Sequence, residues 1–234
     1  YMLEEKGLNT FVKLNPTLLG YARVREILDV CGFGYIGLKE ESFDHDLKLT
    51  QALEMLERLM ALAKEKSLGF GVKLTNTLGT INNKGALPGE EMYMSGKSLY
   101  PLSISLAAKL SREFDGKLRI SYSGGADAFN IDRIVGCGIW PVTMATTMLK
   151  PGGYERLEQI GQLFKAKEAA AFAGVSAEKV EAMVEAAKSD KHHVKAVKPL
   201  PSRKVKKPVP LTDCFIAPCQ EGCPIHQDIT RYMQ

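Results

Sequence analysis

The sequence predicts an α/β fold: the C-terminal part of a (β/α)8 TIM barrel, then a small helical hairpin, a basic linker and a short cysteine-bearing segment. Three observations lead there. Short β-branched or apolar runs alternate with longer stretches of helical period as far as about residue 164, the pattern of parallel strands joined by helical crossovers. Polar or glycine residues follow the strands one after another, at Asn15, Lys39, Asn76, Gly124 and Thr146, as they do around the C-terminal mouth of a barrel. Beyond residue 187 the composition turns to Lys and Pro, and Cys214, Cys219 and Cys223 then fall within ten residues.

Strands are expected at 10–14, 35–38, 70–74, 118–122 and 142–145, with helices at 22–29, 49–66, 102–114, 129–135 and 154–164 between and after them. The long helix is the clearest: Leu49, Ala52, Leu53, Leu56, Leu59, Met60 and Ala63 keep an i, i+3, i+4 stripe that must pack on a sheet. By count, five units also suit a doubly wound open sheet; the residues at the strand ends favour the barrel. Helices at 168–173 and 176–187 make a hairpin, with Ser176 as N-cap and Glu178 in the first turn. The domains expected are 1–164 for the barrel part, 165–187 for a helical extension, 188–210 for the linker and 211–234 for the start of another domain. The first residues, Tyr1-Met2-Leu3, read as a cut end rather than a start or a signal peptide.

At 234 residues and 45% hydrophobic content, the chain can bury one full-size core and carry a tail. No apolar run approaches the roughly 18 residues of a membrane span, and the protein is expected in the cytoplasm. The net charge of +4 belongs to the linker. Without Lys188, Lys191, Lys195, Lys198, Arg203, Lys204, Lys206, Lys207 and Asp190, the remainder carries 23 bases against 26 acids. That basic stretch has Pro199, Pro201, Pro208 and Pro210 but no aromatic residue, which argues against a nucleic-acid surface.

Lys13 and Lys73 each sit in an otherwise apolar strand, where an ammonium must find an acceptor or a ligand; capping of strand-end carbonyls is the plainer use. Ser123-Gly124-Gly125 runs from a strand into a helix, so its backbone N–H groups could face an anion or simply make a tight turn. Thr146 and Thr147 end the next unit in hydroxyls, and the last two strands of such barrels commonly share a phosphate site. Residues 39–46 gather acids and bases around His45, either as a general acid/base set or as a solvated loop whose Asp44 and Asp46 precede the long helix. Cys31 and Cys137 stand alone in apolar surroundings and read as buried thiols.

Cys214, Cys219 and Cys223 give C-x4-C-x3-C-P. Three thiols without a secretory signal argue against disulfides. A Cys3His zinc site with His226 stays open. The Cys-Pro ending instead suits thiolates around an iron-sulfur cubane, a [4Fe-4S] cluster, where the Cys before Pro often serves a different cluster from its neighbours.

Lys73-Leu74-Thr75-Asn76-Thr77, Ser95-Gly96-Lys97-Ser98-Leu99-Tyr100-Pro101 and Ser123-Gly124-Gly125 resemble elements of the dihydroorotate and dihydropyrimidine dehydrogenase barrels. The resemblance implies FMN on the C-terminal face. It places Lys73 near the isoalloxazine with Lys13 as competitor, Asn76 and Thr77 on the substrate side, Ser95 and Gly96 near the ring, and Gly124, Gly125, Thr146 and Thr147 near the phosphate. Two departures stand out: the lysine and Asn-Thr elements are merged at 73–77, and Ala145 replaces the glycine usual before the phosphate hydroxyl.

The cysteine segment is similar to the N-terminal cluster domain of dihydropyrimidine dehydrogenase and the small subunit of glutamate synthase, with Leu211 where a first ligand would fall. That likeness assigns Cys214 and Cys219 to one cluster and Cys223 to a second, with further ligands beyond Gln234. Both halves together resemble the family of bacterial flavin and iron-sulfur proteins labelled selenate reductases, especially at Leu38-Lys39-Glu40-Glu41-Ser42-Phe43-Asp44-His45-Asp46-Leu47 and Thr212-Asp213-Cys214-Phe215-Ile216-Ala217-Pro218-Cys219. Membership implies an oxidoreductase subunit with FAD and NAD(P)H bound in a further C-terminal region, and molybdenum hydroxylase-type partners. The alternative is a flavin-free barrel that acts as a scaffold in such a complex.

Overall fold

The structure is a computed structural model that describes residues 1–83, 85, 88–166, 171–196 and 222–227. The chain divides into two compact units, 1–197 and 198–234. In the first, β1 (Thr10–Leu14) leads through a 3-10 turn at Pro16–Leu19 into α1 (Tyr21–Val30). A short α2 (Glu40–Asp44) precedes α3 (Leu49–Glu65), which delivers β2 (Phe70–Leu74). Next come a hairpin of β3 (Leu78–Ile81) and β4 (Glu91–Met94), then α4 (Tyr100–Glu113) and β5 (Arg119–Tyr122). The unit continues with α5 (Ile131–Gly136), a single turn α6 (Thr146–Leu149), α7 (Gly153–Phe164) and α8 (Ala177–Ala187).

β1, β2 and β5 lie side by side in that order, all parallel. A parallel bridge from Tyr122 to Val142 adds a fourth position, made by Tyr122 N–H to the Pro141 carbonyl (2.9 Å) and Thr143 N–H to the Tyr122 carbonyl (2.8 Å). Space follows sequence, and the described strands have no topological switch point, as along an arc of a barrel.

The helices stay on this sheet because of where their apolar residues recur. Ala52, Leu56 and Ala63 of α3 are buried, with Leu49, Leu53 and Met60 half-buried beside them against Val72, Leu74 and Ile120. The helix ends as Ser67 turns to positive φ (56°). α4 is buried nearly all round, from Tyr100 to Ala108, because α8 packs along its outer side. Burying each Leu or Ile of this layer is worth roughly 1.5–3 kcal/mol. Ser176 caps α8, its hydroxyl accepting from the Lys179 N–H (3.4 Å). Ser176→Ala should therefore lower stability by about 0.5–1 kcal/mol, read as a shift of the urea midpoint.

Several expectations need correction. Residues 35–38 are not a strand: β1 pairs with β2 along its whole length, leaving no slot between them, and the segment's one β-bridge among the described residues runs from Gly37 to Ile81. The β3–β4 hairpin was not foreseen. The expected strand 142–145 reduces to its bridge at Val142. Residues 171–173 are not helical, and the rest of that expected helix lies outside the described residues. The stretch read as linker from 188 remains folded on the first unit through 196, where His193 is fully buried; the linker beyond it lies outside the described residues. Among the described residues no helix is long and apolar enough to cross a membrane.

Candidate functional site

In-register pairing sets Lys13 of β1 beside Lys73 of β2, with Ser121 of β5 next in line. Neighbouring strands run about 4.8 Å apart and paired residues share a face, so both ammonium groups project to the same side. There they help to line a cleft of about 270 Å³ at the C-terminal strand ends, with Thr75, Thr77, Ser95, Gly96, Ser123, Gly125, Thr146 and Thr147. Lys97, Lys150 and Asp127 complete its charged lining. Among the described residues none of the four lysines is held by an ion pair or hydrogen bond, so positive charge dominates the cleft.

The walls are built by specific contacts. The Thr75 and Ser103 hydroxyls lie 2.7 Å apart, tying the end of β2 to α4. The Ser123 hydroxyl donates to the Thr75 carbonyl (3.2 Å), and the Thr147 hydroxyl to the Ala126 carbonyl (3.0 Å). Thr146 donates to Ser95 (3.3 Å), joining two loops across the mouth. Gly96 and Gly125 both have positive φ (71° and 74°), which favours glycine. A Cβ on Gly125 would stand 2.5 Å from the Gly96 carbonyl oxygen. The Gly125–Asp127 loop is clamped by buried Asn130, whose amide donates to the Gly125 carbonyl (3.0 Å) while its oxygen accepts from Asp127 N–H (2.9 Å).

Of the ten residues expected at a flavin site, the structure brings Lys13, Lys73, Thr77, Ser95, Gly96, Gly125, Thr146 and Thr147 to this one cleft. Two are elsewhere. The Asn76 amide donates to Asn15 (2.7 Å), which donates to Asp46 (2.8 Å). Gly124 faces α4, where a Cβ would meet the Ser103 hydroxyl at 1.8 Å. Lys97, Lys150, Asp127 and the Asn130 clamp were missed; an Asx residue just ahead of a helix was the available signal for Asn130.

The set around His45 is solvated, but its residues Glu40–Asp44 form α2 where a loop was the plainer expectation. The His45 ring Nδ1 lies 2.9 Å from the Glu41 carbonyl and is exposed, Lys39 pairs with Glu90 and Glu91 (3.4 Å each), and Lys48 with Asp44 (3.2 Å). Burial pushes the Asp46 carboxyl up, but bonds from Thr17, Asn15 and the Leu47 N–H, with Lys48 nearby, outweigh it and hold the group below its usual range. Cys31 and Cys137 are buried thiols pushed up by burial. A larger, mostly apolar cavity of about 760 Å³ lies between α5 and α7, lined by Ile131, Val135, Val142, Ile160 and Phe164; it lacks the convergent polar groups of the strand-end cleft.

In the second unit, Cys214 and Cys219 lie outside the described residues. Cys223 is a free, half-buried thiol. Backbone N–H groups of Gln227 first, then Ile225 and His226, hold it below the ordinary thiol range. A thiol so surrounded is disposed to the thiolate form, the form that ligates metals.

Residues 1–195 match the family described as "Oxidoreductase YgfK, N-terminal TIM-barrel domain". The chain is 67% identical over all 234 residues to "Putative oxidoreductase YgfK" of Escherichia coli (strain K12), and equally to the protein of that name in Escherichia coli O157:H7. It spans 23% of the length of each. Since that family's model matches well over half of it, with parallel strands in sequence order and a basic mouth at their ends, the chain belongs to the oxidoreductase YgfK N-terminal TIM-barrel family.

Proposed function

We propose that the chain is part of an iron-sulfur flavoprotein oxidoreductase of the selenate reductase-labelled type, in which the strand-end cleft holds FMN and Cys214, Cys219 and Cys223 ligate [4Fe-4S] clusters. FAD and NAD(P)H would bind elsewhere in the longer protein, and a molybdenum hydroxylase-type subunit is the expected partner. The observation that carries this reading is the convergence of four unpaired lysines on one glycine-lined cleft. The donor set fits a phosphate-bearing anion: the Gly125 backbone at one wall, with the Thr146 and Thr147 hydroxyls once they rotate away from Ser95 and the Ala126 carbonyl, and Lys13 and Lys73 at the strand ends. The volume, about 270 Å³, falls just short of the roughly 300–1,000 Å³ of ligand pockets. The strand positions described are half of an eight-stranded barrel, so other strands would add the remaining wall.

When bound, FMN supplies hydride and single-electron chemistry. Lys13 and Lys73 would place positive charge where a reduced ring gathers negative charge, and the Ser95–Thr146 bond would close the mouth. In the second unit, the N–H groups around Cys223 favour its thiolate.

A scaffold without flavin is the second reading. It is favoured by the direct Ser95–Thr146 bond and by the approach of Gly125 to the Gly96 carbonyl, which narrow the space for a ring. Acid release of flavin from the intact protein, with chromatography to separate FMN from FAD and assays of iron and sulfide, decides between them. The expected result is FMN near one per chain, reduced at least tenfold in Lys13→Gln/Lys73→Gln with iron unchanged. FAD without FMN in the parent protein would establish the scaffold.

A further inference from the structure

Residues 188–196 carry seven hydrogen-bonding or charged side chains, the composition of a solvated tether, yet they are bound down along the first unit. The Lys195 N–H donates to the Cys31 carbonyl (2.8 Å), and a Cβ at Gly32 would strike the Lys195 carbonyl oxygen at 2.6 Å. Val194 packs on the cluster of Val24, Leu28 and Phe33. The His192 ring stacks on Phe129 at 3.8 Å, and Arg133 of α5 pairs with Asp190 at 3.2 Å.

At the centre is His193. It has no exposed surface, its ring lies 4.1 Å from that of Tyr100 at the start of α4, and neither ring nitrogen has a hydrogen-bond partner. Nε2 is 4.0 Å from the Asp190 carboxylate, too far for a hydrogen bond. The charged groups facing it are Asp127 from the cleft loop, Arg133 from α5, and Asp190 and His192 on its own segment.

We propose that neutral His193 is the latch that keeps residues 188–196 on the barrel unit, and that its protonation frees them. An imidazolium carries two N–H donors, and burying a charge without hydrogen bonds is costly. Burial accordingly holds the ring below its ordinary value of 6.5, against the pull of Asp127 and Asp190 and with the push of Arg133 and His192. The sign follows: the bound state is favoured most above about pH 6.5, and that preference is lost as pH falls from there through the lower bound-state value. Between pH 7.5 and 5.5 the released fraction rises by up to about tenfold. Release frees nine residues, roughly 30 Å when extended, on the N-terminal side of the cysteine-bearing residues.

Hydrogen exchange by mass spectrometry on the intact protein tests this, with protection of 188–196 corrected for intrinsic rates at each pH. The parent should lose protection, by up to about tenfold, between pH 7.5 and 5.5, and His193→Phe, which keeps a ring against Tyr100, should hold its protection at both. Equal protection of the parent at both values, a gain at pH 5.5 from a tightened Asp190 pair, or the same loss in His193→Phe would each overturn the latch. Should the variant fail to fold, exchange at the His193 ring C2 in the parent supplies the answer. Slow exchange at pH 7.5 that speeds up with the backbone below pH 6.5 supports the latch; exchange at pH 7.5 as fast as a free imidazole refutes it.

Discussion

Gly125→Ala should destabilise the barrel unit by about 2–5 kcal/mol and weaken anion binding at the strand-end cleft. Two costs add. Gly125 sits at φ 74°, where a side chain strains the backbone by roughly 1–2 kcal/mol. The new methyl would also stand 2.5 Å from the Gly96 carbonyl oxygen and 2.9 and 3.0 Å from Cβ and N of Tyr100, and such overpacking typically costs about 1–3 kcal/mol. Neither neighbour can yield easily: Tyr100 is buried at the head of α4, and Gly96 belongs to the loop bonded to Thr146. Urea denaturation reads the stability and anion titration reads the cleft. A loss under about 1 kcal/mol would mean that the two loops do not press on each other as described.

Leu56→Ala should cost about 3–5 kcal/mol, at the upper end for such truncations. Leu56 is fully buried in the interface between α3 and the sheet. The other fully buried positions on that helix, Ala52 and Ala63, are too short to fill the space, and Leu53 and Met60 stand at its half-buried edge. Cost rises with the cavity that remains. Leu53→Ala, on the half-buried flank, should cost about 1–2 kcal/mol by the same reasoning. Calorimetry on both variants checks the contrast; equal losses would show that the helix rolls to close the gap.

Much of the frame was legible because it rests on local repetition. The runs at 10–14 and 70–74 are short and apolar with one lysine each, and the stripe of α3 fixes a helix face. Where pairing decides, local pattern failed: 35–38 has the composition of a strand but finds no place between β1 and β2 once they meet. The hairpin escaped because its strands are four residues each, separated by a long turn. In the cleft, residues that follow strands were readable as a ring. Lys97, Lys150 and Asp127 join it only through the folding of loops. Asn76 and Gly124 left the expected set because side-chain direction depends on partners, Asn15 for one and Ser103 for the other. The cysteine spacing was read from sequence, and of its three members only Cys223 falls among the described residues.

If the cleft takes the anion proposed for it, its four lysines, none ion-paired among the described residues, would also govern how fast that ligand arrives. Their field reaches about 8 Å at physiological ionic strength before counterions screen it, so an approaching anion is drawn toward the strand ends before any contact forms. Capture would then slow steeply as salt rises, while escape, controlled by hydroxyl and backbone contacts, would change far less. With one acid, Asp127, on the rim against four bases, this face of the barrel would, on the proposed reading, draw an anion from a distance and hold it by fit.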